Sequence, residues 1–222
     1  MNRSEFCFPN ARVLIFAKAP VAGEVKTRLI PPLSAAGAAQ LHARFIRRTL
    51  SVVCDSNLCP VQLWCSPQPH HPFFVDCRQS FPVSLHTQRG ADLGERMRQA
   101  AASALAETNY ALVIGCDCPA LTAVYLRQAL TALKKGYNAV LGPAEDGGYV
   151  LLGLQHADPE LFSDIAWGTA AVLDSTRRRL RRLKRRWHEL AVQWDVDRPE
   201  DLLRLKRNRA LAAQIGLSAV DG

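Results

Sequence analysis

The chain has 222 residues, 48% of them hydrophobic, and carries a formal net charge of +8. That is enough to bury a full core as a single α/β domain over residues 1–222, with an ordered part from about 11 to 208, and no stretch resembles an interdomain linker. No apolar run reaches the ~18 to 20 residues that span a bilayer, and Met1 to Asn10, with Arg3 and Glu5, has neither an apolar h-region nor a small-residue cleavage site, so a cytoplasmic protein is expected.

Arg12 to Phe16 reads as a short strand opening a loop, Lys18 to Pro32, rich in Pro, Gly and basic residues. Ser34 is placed to cap a helix running to about Cys54, with Leu41, Phe45 and Leu50 near one face. Val61 to Cys65 and Val83 to His86 read as strands, and the Pro and His cluster from Pro67 to Pro72 as loop. A helix follows over Leu93 to Ala106, then a strand over Ala111 to Gly115 and a helix over Leu121 to Lys135 closed by Gly136. Ala139 to Gly142 and Tyr149 to Leu154 form two strands around an acidic, Gly-rich connection. Thr169 is expected to cap a basic helix that buries Leu173, Leu180, Leu183, Trp187 and Leu190 on one face. Glu189 to Trp194 reads as a final strand, and Pro199 sits in the first turn of a last helix.

This alternation predicts a Rossmann-like fold, a mainly parallel central sheet with helices on both faces. Neither G-x-G-x-x-G nor the P-loop pattern is present, because no glycine immediately precedes Lys26 and Thr27, which argues against dehydrogenase and P-loop kinase chemistry. Seven dispersed cysteines fit reduced thiols, and their spacing with His70 and His71 does not form a zinc pattern. The basic charge is local: Arg177 to Arg186 holds eight cations and no acid, matching the net charge, so the rest of the chain is balanced. A solvated exterior is the leading reading of that helix, contact with an anionic membrane the next, and no nucleic-acid partner is expected.

The chemistry concentrates at predicted strand ends. In Ala111 to Pro119 the apolar run places Asp117 at the C-terminal tip of a strand, the edge where open α/β sheets bind ligands. Asp197, with Asp195 as its competitor, stands at a second such end, and two carboxylates plus substrate phosphates suit Mg²⁺ or Mn²⁺. Helix capping is the alternative role for Asp117 and Asp197. On the loop after the first strand, Ala17 lets the backbone approach a nucleotide closely, and Lys18, Lys26 and Arg28 are placed to neutralise its diphosphate. Gln88, Asp92 and Arg96 border a second candidate nucleotide contact, where Asp92 also reads as an N-cap. In the Gly-rich connection, Glu145, Asp146, Gly147 and Gly148 would contact the second substrate, Glu145 or Asp146 binding an acceptor hydroxyl or acting as general base, with Asp146 and Asp117 as the catalytic carboxylates. Both a nucleotide-sugar and a nucleoside triphosphate fit this set.

Six motifs, "FAKAPVAGEVKTRL", "QRGADLGERM", "IGCDCPALT", "GPAEDGGYVLLGL", "IAWGT" and "DVDRPEDL", stand in the order found in the DUF2064 family, which the chain resembles from about Arg12 to Leu203. The resemblance implies a glycosyltransferase-A-like (nucleotide-diphospho-sugar transferase-like) fold. It also implies an arsenosugar-biosynthesis-type glycosyltransferase activity, and distant similarity to phospholactate and molybdenum-cofactor guanylyltransferases. Lys18, Lys26 and Arg28 would then lie in the phosphate loop, Asp117 and Asp197 would bind metal, and Asp146 would belong to the acceptor or sugar pocket. Arg48 and Arg198 depart from the pattern, where an acid and a Thr are expected. The function implied is sugar transfer to a small-molecule or lipid acceptor, with nucleotidyl transfer to a phosphorylated small molecule as the alternative.

Overall fold

A computed structural model describes residues 6–217, so the readings of Met1 to Glu5 and of the domain's last residues, 218–222, lie outside the described residues. Seven strands form one sheet: β1 (Ala11–Lys18), β2 (Val61–Ser66), β3 (Val83–Thr87), β4 (Tyr110–Ile114), β5 (Ala139–Pro143), β6 (Tyr149–Leu154) and β7 (Trp187–Glu189). Their order is β3-β2-β1-β4-β6-β5-β7, and only β6 runs against its neighbours. The parallel strands therefore end on one edge, with β6 starting there.

Alternation along each strand sorts side chains to two faces. Val13, Ile15, Leu63, Leu112 and Ile114 face α1 (Ala35–Asp55), α2 (Pro72–Ser80) and α4 (Ala123–Lys134), while Leu14, Trp64, Val113 and Leu152 face α3 (Leu93–Leu105) and α5 (Val172–Arg182). A third cluster joins Leu29 and Phe45 to Trp194, Val196 and two last helices, α6 (Pro199–Arg207) and α7 (Arg209–Gln214), and includes Ile215 beyond residue 208. Among the described residues no helix is long and apolar enough to cross a membrane. All seven cysteines are free, and only Cys7 is exposed.

Two expected elements differ. The loop expected over Pro67 to Pro72 leads directly into α2, with Pro72 in its first turn and the His71 ring accepting from Phe73 N–H. The basic helix is shorter than its apolar spacing suggests. Thr169 does not cap it, and the chain leaves it at Lys184 (φ +52°), where Arg185 N–H reaches back to Leu180 C=O at 2.9 Å. Trp187 thus opens β7, Leu183 is only partly buried, and of the strand expected over Glu189 to Trp194, Glu189 closes β7 opposite Leu141 while Gln193 forms an isolated bridge with Ala144.

The α5 arginines are not simply solvated. Arg177 makes a bidentate pair with Glu189 (2.9 and 2.7 Å) and Arg185 with Asp158 (2.9 and 3.1 Å). Arg182 pairs with Glu160, and Arg179 donates to the carbonyls of Ser163 and Asp164. Arg179 and Arg182 of α5 and Arg185 just past its end tie segment 158–164 to this part of the chain, and that segment leads into Trp167.

Candidate active site

Three segments that are distant in sequence meet at the C-terminal edge of the sheet. The turn after β4 carries Asp117, whose backbone C=O accepts from Val196 N–H at 3.0 Å. The loop after β1 brings in Lys26, held in a left-handed conformation (φ +49°) just before a single helical turn, Thr27–Leu29, whose Leu29 is buried. Lys26 Nζ donates to Val196 C=O at 2.6 Å and lies 2.8 Å from Asp117 Oδ2 and 3.7 Å from Asp197 Oδ1. Its side chain is only 4% exposed, so this ammonium is the counter-ion inside the acidic pair. Arg28 closes the outer side, with Nη1 2.5 Å from Asp197 Oδ2.

Neither acid is a helix cap. Thr122 caps α4 by accepting from Tyr125 N–H, and Arg198 is the N-cap residue of α6, where Asp201 accepts from Asp197 N–H and Arg198 N–H. Burial by itself would push the Asp117 carboxyl up, but the nearby Lys26 ammonium overrides it and holds the group well below the usual carboxylate range. His42 of α1 completes the floor. Its Nε2 donates to Lys18 C=O at 3.0 Å, and its Nδ1 stands 3.7 Å from Asp117 Oδ1. That Oδ1 is buried and has no hydrogen-bond partner. A hard oxygen lacking a partner, beside a second carboxylate, fits a divalent cation. Among the described residues no three His, Cys, Asp or Glu cluster as a complete metal cage, so phosphate and water oxygens would have to fill the remaining positions.

Next to this pair lies an open cleft of about 420 Å³, bordered by Arg28, Asp146, Asp195, Asp197 and Arg198. Asp195 sits among these charges. Burial, reinforced by the Asp146 carboxylate, pushes it up to about 6. A carboxyl raised in this way stabilises the fold below its unfolded value near 4, and that contribution is lost as the pH rises through 6. Asp195→Asn should therefore raise the melting temperature by a few degrees at pH 8 and leave it almost unchanged near pH 4, as scanning calorimetry would read. An equal shift at both pH values would contradict this.

The other expected site residues are distributed as follows. Lys18 (side chain 47% exposed), whose Nζ donates to Glu24 C=O at 2.9 Å, and Arg28 (61%) stay at the surface, whereas Lys26 turns inward. Gln88 Nε2 donates to Ala17 C=O (3.2 Å) and Trp64 C=O (2.8 Å), Asp92 caps α3 by accepting from Glu95 N–H, and Arg96 holds Gly90 C=O. Gln88 Nε2 and Arg96 Nε thus spend these donors on backbone carbonyls around the loop after β3, and Asp92 takes the N-cap role that the sequence offered.

Glu145 is likewise drawn away. Both its oxygens pair with Arg204 of α6 (2.7 and 3.1 Å), which holds its carboxyl below the ordinary value, and the Arg204 guanidinium stacks 4.3 Å from the centre of the Trp194 ring. Asp146 stays exposed in the cleft, with Oδ1 accepting from Gly148 N–H at 2.9 Å. Gly147 (φ +88°) lies so close to Ala170 that a Cβ would stand 2.3 Å from the Ala170 carbonyl oxygen.

Residues to which the sequence assigns no site role are His42, Arg204 and Trp167. His42 had a signal, since it lies on the α1 stripe of Ala38, Phe45 and Thr49 that is otherwise buried in the core.

The family model of DUF2064, described as an uncharacterized protein conserved in bacteria, matches residues 49–169, more than half of the sequence. The chain belongs to the DUF2064 family. A search of the curated proteins found no match. This DUF2064 chain is similar in structure to a protein from Desulfovibrio desulfuricans G20 that is provisionally named a nucleotide-diphospho-sugar transferase: 28% identity, 94% of this chain and 93% of that one, TM-score 0.81. It shares its fold with 4-diphosphocytidyl-2C-methyl-D-erythritol synthase (15% identity, 90% and 97% covered, TM-score 0.57). It also shares it with glucosyl-3-phosphoglycerate synthase from Mycobacterium tuberculosis, solved with Mn²⁺, UDP and glucosyl-3-phosphoglycerate (12% identity, 95% and 81% covered, TM-score 0.52). The fold is thus that of the nucleotide-diphospho-sugar transferases, and these neighbours are named as transferases or synthases.

Proposed function

We propose that the chain is a metal-dependent glycosyltransferase that moves a sugar from a nucleotide-sugar donor to a small-molecule or lipid acceptor. The observation that carries this reading is the Asp117–Lys26–Asp197 arrangement, placed beside accessible cations on one side and the Asp146 cleft on the other. Lys26 holds the two carboxylates at fixed positions, and Lys18 and Arg28 supply positive charge where a diphosphate would lie. Asp117 and Asp197 would hold Mg²⁺ or Mn²⁺, which when bound supplies charge stabilisation to the departing diphosphate. Asp146, on the cleft side, accepts the proton of the acceptor hydroxyl as its oxygen bonds to the sugar carbon and the diphosphate leaves. The likeness to the Desulfovibrio protein supports the donor class, and the Mn²⁺ and UDP bound by glucosyl-3-phosphoglycerate synthase accord with the metal.

A second reading, nucleotidyl transfer, is supported by Arg28 and Lys18 serving equally well around the α-phosphate of a nucleoside triphosphate, and by the fold shared with a diphosphocytidyl-transferring synthase. The product decides between them. With nucleotide-sugars and Mg²⁺ or Mn²⁺, the expected outcome is release of a nucleoside diphosphate, slow without an acceptor and faster with one. Pyrophosphate release from a triphosphate, with nucleotide-sugars inert, would replace the first reading by the second.

A further inference from the structure

A cavity of about 240 Å³ opens from the acidic cleft and runs under the N-terminal end of α3. Its walls include Phe16, Leu93, Met97, Tyr149, Trp167 and Val172. Its carboxylates and Thr169 lie at one end, because Asp146, Thr169 and Asp195 border the acidic cleft as well. The two polar side chains of the remaining walls are engaged or sealed. Tyr149 bonds Thr176, and the buried Trp167 Nε1 has no partner and lies against Gly94, where a Cβ would stand 2.3 Å from it. Leu93, by contrast, is 43% exposed, one of the few large apolar side chains left open to solvent. The wall is preformed, since Arg179 holds the carbonyls of Ser163 and Asp164, Leu173 N–H bonds Gly147 C=O at 2.9 Å, and Ala170 rests on Gly147.

We infer that this cavity takes the apolar body of the second substrate, an alcohol whose hydroxyl lies at Asp146 and Asp195, with Trp167 and Leu93 selecting that body. The inference rests on the transferase reading above and names the acceptor class for it. A sugar or other polyol would bury hydroxyls against mostly apolar side chains, and each hydroxyl left unpaired there is costly. A phosphate head would meet two carboxylates at the mouth, whereas a hydroxyl donates to them. Contact with Phe16, Met97 and Trp167 instead rewards apolar area.

The test titrates the full chain with 1-alkanols from ethanol to octanol, and with glycerol and glucose, by calorimetry. The same protein is titrated separately with UDP, CDP and GDP in the presence of Mn²⁺. Affinity should rise roughly fourfold per methylene until the cavity is filled, and the polyols should show no measurable binding. Leu93→Trp and Met97→Trp should abolish the chain-length dependence while nucleotide affinity stays at the parent level. Leu93 is open to solvent, so its replacement keeps the test valid if the Met97 variant fails to fold. Flat alkanol affinities, polyols binding as tightly as octanol, or an unchanged length dependence in Leu93→Trp would overturn the inference. Failure to bind any nucleotide would instead overturn the transferase reading, whatever the alkanols do.

Discussion

Replacing Asp117 by Ala should lower turnover by roughly 10²-fold or more, the size of effect seen when one major electrostatic stabiliser is removed. Asp117 is the carboxylate whose Oδ1 lacks any hydrogen bond and whose Oδ2 is held 2.8 Å from Lys26. It is therefore placed to hold a cation without losing its own support. Excess chelator should produce a loss of similar size in the parent protein, and the two losses should not add, because both remove the same interaction. Asp117→Asn keeps the side-chain volume and separates lost charge from lost packing. Nucleoside diphosphate release from a nucleotide-sugar is the readout. Parent-level turnover in Asp117→Ala, or full activity in chelator, would remove the metal role from this residue.

What could be read from the sequence was local. Asp117 was legible because a short apolar run followed by Pro119 fixes both the strand and its end. The two-faced α/β sheet was legible for the same reason, element by element. What escaped depends on contacts between distant segments. Lys18, Lys26 and Arg28 look equivalent in a basic loop, yet the left-handed turn at Lys26 and the anchoring of Leu29 bury one and leave the others outside. Glu145 looks like a substrate ligand until Arg204, 59 residues away, takes both its oxygens. The end of α5 carries neither Gly nor Pro, so the periodic leucines continued past the real stop at Lys184. Trp167 was hidden because its counterpart is the missing side chain of Gly94, an absence with no local signature.

Lys26→Met should give the largest loss of stability, about 3 kcal/mol at neutral pH, near the lower end for breaking a buried ion pair because Asp117 and Asp197 keep 38% and 39% of their side chains exposed. Methionine retains most of the apolar stem while removing the charge, and it leaves the Val196 carbonyl and two carboxylates without their donor. The pH dependence has a definite sign. Burial pushes the Asp117 carboxyl up, but Lys26 brings it well below the usual range, so its contribution is present above about pH 4 and is lost as the pH falls towards the lowered folded value. The gap between parent and variant should therefore be widest near pH 7 and narrow below about pH 4. Urea denaturation at about pH 7 and pH 3 would measure it. Equal stability at neutral pH would mean that the Lys26 ammonium does not hold the acidic pair together, and the site would then need another source of counter-charge.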